Sequence, residues 1–190
     1  MHARYGSWQP GDGRDAGPHK TELAFTVSGL IPDGIARGPV VGIDVFRMVG
    51  DGFDPSAVMA GKPFGGSPLY ALDITGADLP AAIETTLAAG VDDLSLQVSG
   101  MRYVFDSKRT AGARVVAAYI HGKPLDPARS YRATVNFGVL QGLPKLGVKV
   151  SNVQPIGGDE FDAVLDFTRR QHVLLYASQG RIVDVATPCR

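Results

Sequence analysis

The stretch from Gly61 to Glu84 constrains this chain most, because its punctuation admits a loop, then a strand, then the start of a helix. Pro63, Gly65 and Gly66 interrupt regular structure, and the glycines let the backbone turn tightly while presenting Phe64. From Leu69 to Ile74 the side chains alternate, with Leu69, Ala71 and Asp73 on one face and Tyr70, Leu72 and Ile74 on the other. That alternation predicts a short strand whose more apolar face is buried. Thr75 stands where it can cap a following helix, with Asp78 favoured in the first turn by the helix dipole. Leu79, Ile83 and Leu87 recur at helical spacing and predict a buried stripe on that helix.

Before and after this stretch the pattern is mostly that of strands. Leu23 to Val27 reads as a first strand bounded by Gly29, and Asp44 as the cap of a short helix turning Val45, Met48 and Val49 inward. One helical turn is expected at Ser56 to Ala60. Further strands follow at Ser95 to Val98, Met101 to Phe105, Arg114 to His121 and Tyr131 to Asn136. The pair Gly122 and Lys123 signals a hairpin-like connection toward Tyr131 to Asn136. Residues 138 to 158 carry glycines and prolines, with only a small strand candidate at Val148 to Val150. Asp159 then caps a helix with Phe161, Val164, Leu165 and Thr168 expected inside, and Arg181 to Val185 closes the chain as a strand. Strands grouped first and helices interspersed without strict alternation predict an α+β fold, a mixed β-sheet with flanking helices. The strand Leu69 to Ile74 is expected in one sheet with Met101 to Phe105, Arg114 to His121 and Tyr131 to Asn136.

A chain of 190 residues suits one domain with a sizeable core. Residues 1–20 read as a flexible polar leader and 21–190 as the domain. The leader lacks the apolar centre of a signal peptide. Lysine plus arginine equals aspartate plus glutamate at 19 each, so no global field favours nucleic acid or an anionic membrane. No apolar run is long enough to span a bilayer. The single cysteine, Cys189, excludes an internal disulfide and has no adjacent base to activate it.

Three blocks carry a family resemblance. The first is Pro63-Phe64-Gly65-Gly66, a strand, then Ile74-Thr75-Gly76-Ala77-Asp78-Leu79. The second is Leu96 to Tyr103, followed by Asp106 and Gly112 to Val116. The third is Gly122 to Pro127, with Tyr131 and the pair Asn136-Phe137. In this order and spacing they resemble the C-terminal domain of the 5′-nucleotidase family, over most of residues 21 to 190. The resemblance implies a domain that holds the nucleoside, while a separate upstream metallophosphatase domain does the chemistry. It also implies an exported parent, hence a periplasmic or extracellular setting. Whether the chain is a fragment or a separate reading frame stays open.

Residue by residue, the resemblance makes Phe64 and Phe137 the two rings that sandwich a nucleobase, with Asn136 beside the second. It gives Asp159, in Gly157-Gly158-Asp159, to the ribose hydroxyls; a helix N-cap explains the same aspartate without a ligand. Where the family carries an asparagine and an arginine after its first strand, this chain has Val27 and Pro32. A proline offers no guanidinium fork for phosphate, which leaves Arg37 as the nearby candidate. The loop from Gly50 to Gly61 and the segment from Gly138 to Ile156 are longer than the family's spacing.

No catalytic residue and no metal ligand is expected in this chain. His2, His19, His121 and His172 are scattered, and none sits in a grouping that begins a two-metal phosphatase centre. Divalent metals are expected only in the absent catalytic domain, and the chain alone is expected to be inactive. The partners expected are a nucleoside or nucleotide and an upstream metallophosphatase domain, with neither nucleic acid nor membrane. Two alternatives remain: a structural or interaction domain that has lost nucleotide recognition, or the substrate domain of a relative acting on sugar nucleotides, cyclic nucleotides or sulfur compounds.

Overall fold

The computed structural model describes residues 20–31, 33–49, 55–60, 66–88, 95–174 and 179–187. Its strands are β1 (Leu23–Val27), β2 (Pro68–Thr75), β3 (Leu96–Ser99), β4 (Met101–Phe105), β5 (Val115–Ile120), β6 (Lys123–Pro124), β7 (Ser130–Asn136), β8 (Val150–Asp159) and β9 (Ile182–Asp184). The helices are α1 (Gly42–Val49), α2 (Pro55–Met59), α3 (Asp78–Ala88), α4 (Phe137–Gly142) and α5 (Glu160–Gln171). Short 3-10 turns follow β1 at Ser28–Leu30 and α4 at Leu143–Leu146.

The strands form two sheets rather than the one expected. A five-stranded sheet runs β3-β1-β7-β2-β8, and a four-stranded sheet runs β6-β5-β4-β9. Strand β2 therefore pairs with β7, while β4 and β5 belong to the other sheet, and the turn at Gly122 joins β5 to β6 rather than to β7. Only Gly100 separates β3 from β4, and the chain changes sheets there. Both sheets are mixed: β1 runs parallel to β7 and β4 parallel to β9, with the other pairs antiparallel.

The expected helix after β2 forms for the expected reason. The Thr75 hydroxyl accepts the Asp78 N–H at 3.3 Å and donates to the Asp78 carboxylate at 2.6 Å, a reciprocal cap. Leu79, Ile83 and Leu87 are all buried. Gly76, just before the helix, has a steric role, since a Cβ there would stand 2.1 Å from the Asp126 carbonyl oxygen. The main core gathers Leu72 and Ile74 of β2, the α3 stripe, Tyr103, Phe105 and Ile120 of the second sheet, and Val139 of α4. The Tyr103 hydroxyl donates to the Leu96 carbonyl at 3.0 Å, tying β4 back to β3, and burial pushes its pKa up to about 12.

Three local expectations need correction. Strand β2 is buried on both faces, because Leu69 and Ala71 pack with Ile156 and Ala163 in a second cluster. The glycine- and proline-rich segment after Asn136 holds α4 and the whole of β8, not a small strand at Val148–Val150. Strand β8 lies at the sheet edge, where Pro155 is tolerated and register shifts interrupt its pairing with β2, so it shows no clean alternation. In α5 the fully buried positions are Glu160 and Ala163; Phe161, Val164, Leu165 and Thr168 are only half-buried. The small Ala163 lets α5 approach the sheet closely, while Phe161 meets Phe46 of α1 edge-on at 6.4 Å.

Elsewhere the reading agrees with the structure. Strand β1 has the expected bounds, α2 occupies the expected turn, and Val45 and Val49 of α1 are buried, with Met48 half-buried. Asp44 is not the cap itself, since α1 begins at Gly42; from the first turn its carboxylate accepts the Val41 N–H at 2.8 Å. Among the described residues no helix is long and apolar enough to cross a membrane.

Candidate functional site

The strand directions bring Asn136, Phe137 and Asp159 to one end of the five-stranded sheet. Strand β7 ends at Asn136, opposite Leu69, and β8 ends at Asp159, opposite Pro68, near the start of β2. Strand β1 is parallel to β7, so its continuation through Leu30 arrives at the same end. A Cβ on Gly138 would stand 3.2 Å from a Leu30 methyl carbon, which shows how closely that turn packs.

Asn136 is fully buried and caps α4, its side-chain oxygen accepting the Val139 N–H at 2.8 Å. Its side-chain nitrogen donates to the Glu160 carboxylate at 2.6 Å. Phe137, the next residue, is 40% exposed, so its ring stands at the surface rather than filling the core. One side of that ring rests on Tyr70, at 6.1 Å between centroids and 35° between planes. Tyr70 belongs to the apolar face of β2, as its alternation implies; its position at the end of that face makes it a backing for Phe137.

Asp159 has the N-cap role, accepting the Asp162 N–H at 2.7 Å through one oxygen. Its other oxygen receives, among the described residues, only a long contact from the Gly66 N–H at 3.4 Å. A carboxylate offers about four lone-pair sites, so that oxygen retains capacity to accept from a ligand hydroxyl. Gly66 permits this approach, because a Cβ there would lie 3.0 Å from the Asp159 carboxyl carbon. Phe64 lies outside the described residues, as does Pro32. Val27 is half-buried and packs on the core, so it presents no polar group to this end. Arg37 is exposed, and no contact joins it to Asn136, Phe137 or Asp159 among the described residues. The structure thus brings together Asn136, Phe137 and Asp159, and adds Tyr70 and Glu160, which the sequence pattern does not assign to the site.

A second concavity lies elsewhere. A cleft of about 820 Å³ opens between α3 and β5, lined by residues that include Pro80, Ala81, Val116 and Ala118. Its one carboxylate, Glu84, is already engaged by the Gly112 and Val115 N–H groups at 3.0 and 2.5 Å. None of the candidate residues lines it. Among the described residues no three histidine, cysteine or acidic side chains gather to hold an ion.

Two mixed sheets with flanking helices define an α+β domain, and the match to known proteins agrees. The model of the 5′-nucleotidase C-terminal domain matches residues 16–145, and the chain belongs to that family. Comparison with curated proteins gives no match. Among solved structures it is similar to a 5′-nucleotidase precursor from Thermus thermophilus, with a TM-score of 0.72 and 26% identity over 88% of this chain and 32% of that one. A sulfate thiohydrolase from the same organism, in complex with glycerol, has a TM-score of 0.65 at 21% identity, over 90% of this chain and 30% of that one. The NAD nucleotidase of Haemophilus influenzae has a TM-score of 0.57 at 16% identity, over 86% and 28%. The last two show the fold alone. The chain spans only about a third of the length of these relatives.

Proposed function

We propose that this chain is the nucleoside-binding domain of a 5′-nucleotidase-type hydrolase of nucleotide catabolism, the hydrolytic step and its divalent metals belonging to a metallophosphatase domain of a larger protein. The observation that carries the reading is the half-exposed Phe137 ring at the same sheet end as a carboxylate oxygen of Asp159 with acceptor capacity to spare. Strands β7 and β8 flank β2, so their ends stand about 10 Å apart. A base stacked on Phe137 and a ribose turned toward Asp159 bridge that span. Stacking on one ring contributes about 1–3 kcal/mol, and Tyr70 stiffens the ring from behind.

Phosphate recognition is the weak part of this domain. In sequence, Pro32 takes the place of the family's phosphate-binding arginine, and Arg37 is an exposed residue with no contact to Asn136, Phe137 or Asp159 among those described. AMP therefore binds hardly better than adenosine, and the chain alone turns over no AMP when Mn²⁺, Zn²⁺ or Co²⁺ is added. Titration calorimetry with adenosine decides the reading. Weak binding that falls by about 1–3 kcal/mol in Phe137→Ala supports it. Binding undetectable in the wild type, or equal in both, contradicts it and favours a domain that keeps the fold without the recognition.

A further inference from the structure

One residue connects the two halves of this sheet end, and neither the sequence pattern nor the family match assigns it a task. Glu160 is 2% exposed, although burying a carboxylate is costly unless its hydrogen-bonding capacity is used. Its oxygen accepts the Asn136 side-chain N–H at 2.6 Å, and its backbone N–H donates to the Ser67 carbonyl at 2.9 Å. An asparagine amide can sit in two orientations, with oxygen and nitrogen exchanged. A carboxylate accepts and does not donate, so it draws the nitrogen of Asn136 toward itself. The oxygen is then left facing the Val139 N–H, as the 2.8 Å cap of α4 requires. Phe137 is the first residue of the helix so capped.

We propose that Glu160 is a positioning residue of this site: by fixing which way Asn136 caps α4, it sets where the Phe137 ring stands relative to Asp159. The proposal rests on the nucleoside-binding reading for its functional consequence, while the positioning itself is independent of any ligand. Through its side chain Glu160 holds the start of α4, and through its backbone it holds Ser67, beside the Gly66 that meets Asp159.

Exchanging donor and acceptor tests the pair. In Asn136→Asp two carboxylates face one another, and hydrogen exchange at the Val139 amide should quicken by about tenfold, beyond any change at the Leu72 and Ile120 amides. Adenosine affinity should fall with it. Glu160→Gln can donate as well as accept, so it no longer dictates the Asn136 orientation, and Val139 exchange should quicken by about threefold, less than in Asn136→Asp; exchange equal to wild type would count against the proposal. In the double variant the new amide at position 160 donates to the new carboxylate at position 136, which still caps Val139. Both protection and affinity should then return to within about twofold of wild type. A folded double variant as impaired as Asn136→Asp, or an Asn136→Asp variant equal to wild type, overturns the proposal. If Asn136→Asp fails to fold, the double variant decides alone: protected Val139 supports the pairing and an unfolded chain refutes it. Adenosine that never binds wild type removes the nucleoside reading, while Val139 exchange still reports on Glu160.

Discussion

The end of the five-stranded sheet and the cleft between α3 and β5 differ in an instructive way. The cleft has room, at about 820 Å³, but its lining is mostly small aliphatic residues, and both oxygens of its Glu84 carboxylate accept short backbone N–H hydrogen bonds. The sheet end has an exposed aromatic ring, a carboxylate oxygen with one weak partner among the described residues, and a buried Asn136–Glu160 pair beneath them. Volume alone specifies nothing. Recognition needs polar groups with unused capacity, held rigidly beside apolar surface.

Substitutions can break this contrast, beginning with the largest effect. Asn136→Leu removes the short hydrogen bond to the buried Glu160 carboxylate and the cap of α4, and should cost about 3 kcal/mol of stability by urea denaturation. A loss below about 1 kcal/mol would mean that the sheet end is not held by this pair. Asp159→Ala should weaken adenosine binding by about 1–2 kcal/mol, one hydrogen bond to a charged acceptor, while also removing a helix cap. Affinity unchanged in a folded Asp159→Ala variant would reduce this aspartate to its capping role. In the cleft, Val116→Ser alters an exposed residue and should move stability by no more than about 0.5 kcal/mol and adenosine affinity not at all.

Acid sharpens the comparison away from both regions. Desolvation pushes the Asp184 carboxyl up, but hydrogen bonds from Ser107, Ala186 and Thr187 outweigh it and hold the pKa down at about 2. A carboxyl depressed in the folded state contributes stability above its unfolded pKa, and that contribution is lost as pH falls through the folded value. Asp184→Asn should therefore be less stable than wild type at neutral pH, with the gap closing between about pH 4 and pH 2. His121 adds an earlier loss. Burial lowers its pKa, Glu22 raising it and Arg129 lowering it further, so the unfolded chain takes up a proton first as pH drops below about 6.5. A thermal melting series across pH reads both windows, and a gap for Asp184→Asn that persists below about pH 2 would refute the first.

What the sequence disclosed depended on how local the signal was. The cap at Thr75 and the stripe Leu79, Ile83, Leu87 are set within one helix and were legible. Which sheet receives β4 depends on pairings far along the chain, and no periodicity encodes that choice. Strand β8 was hidden because an edge strand tolerates Pro155 and requires no alternating face. At the site, Asn136, Phe137 and Asp159 stood out through the family motifs, and the sheet brings them together. Glu160 did not stand out, since an acidic residue at a helix start is ordinary by the dipole alone. Its significance lies in burial against Asn136, a contact across 24 residues that folding creates. Tyr70 was hidden for the opposite reason, because its core-facing pattern was correct and said nothing of the tilted Phe137 ring that packs against it.

Amide chemical-shift mapping of the whole chain with adenosine tests the central claim most directly, since it reports which of the two regions binds. The account predicts shifts at Tyr70, Phe137, Val139 and Asp159, and still signals at Ala81, Val116 and Ala118. Shifts confined to the α3–β5 cleft, with the sheet end unmoved, would contradict it.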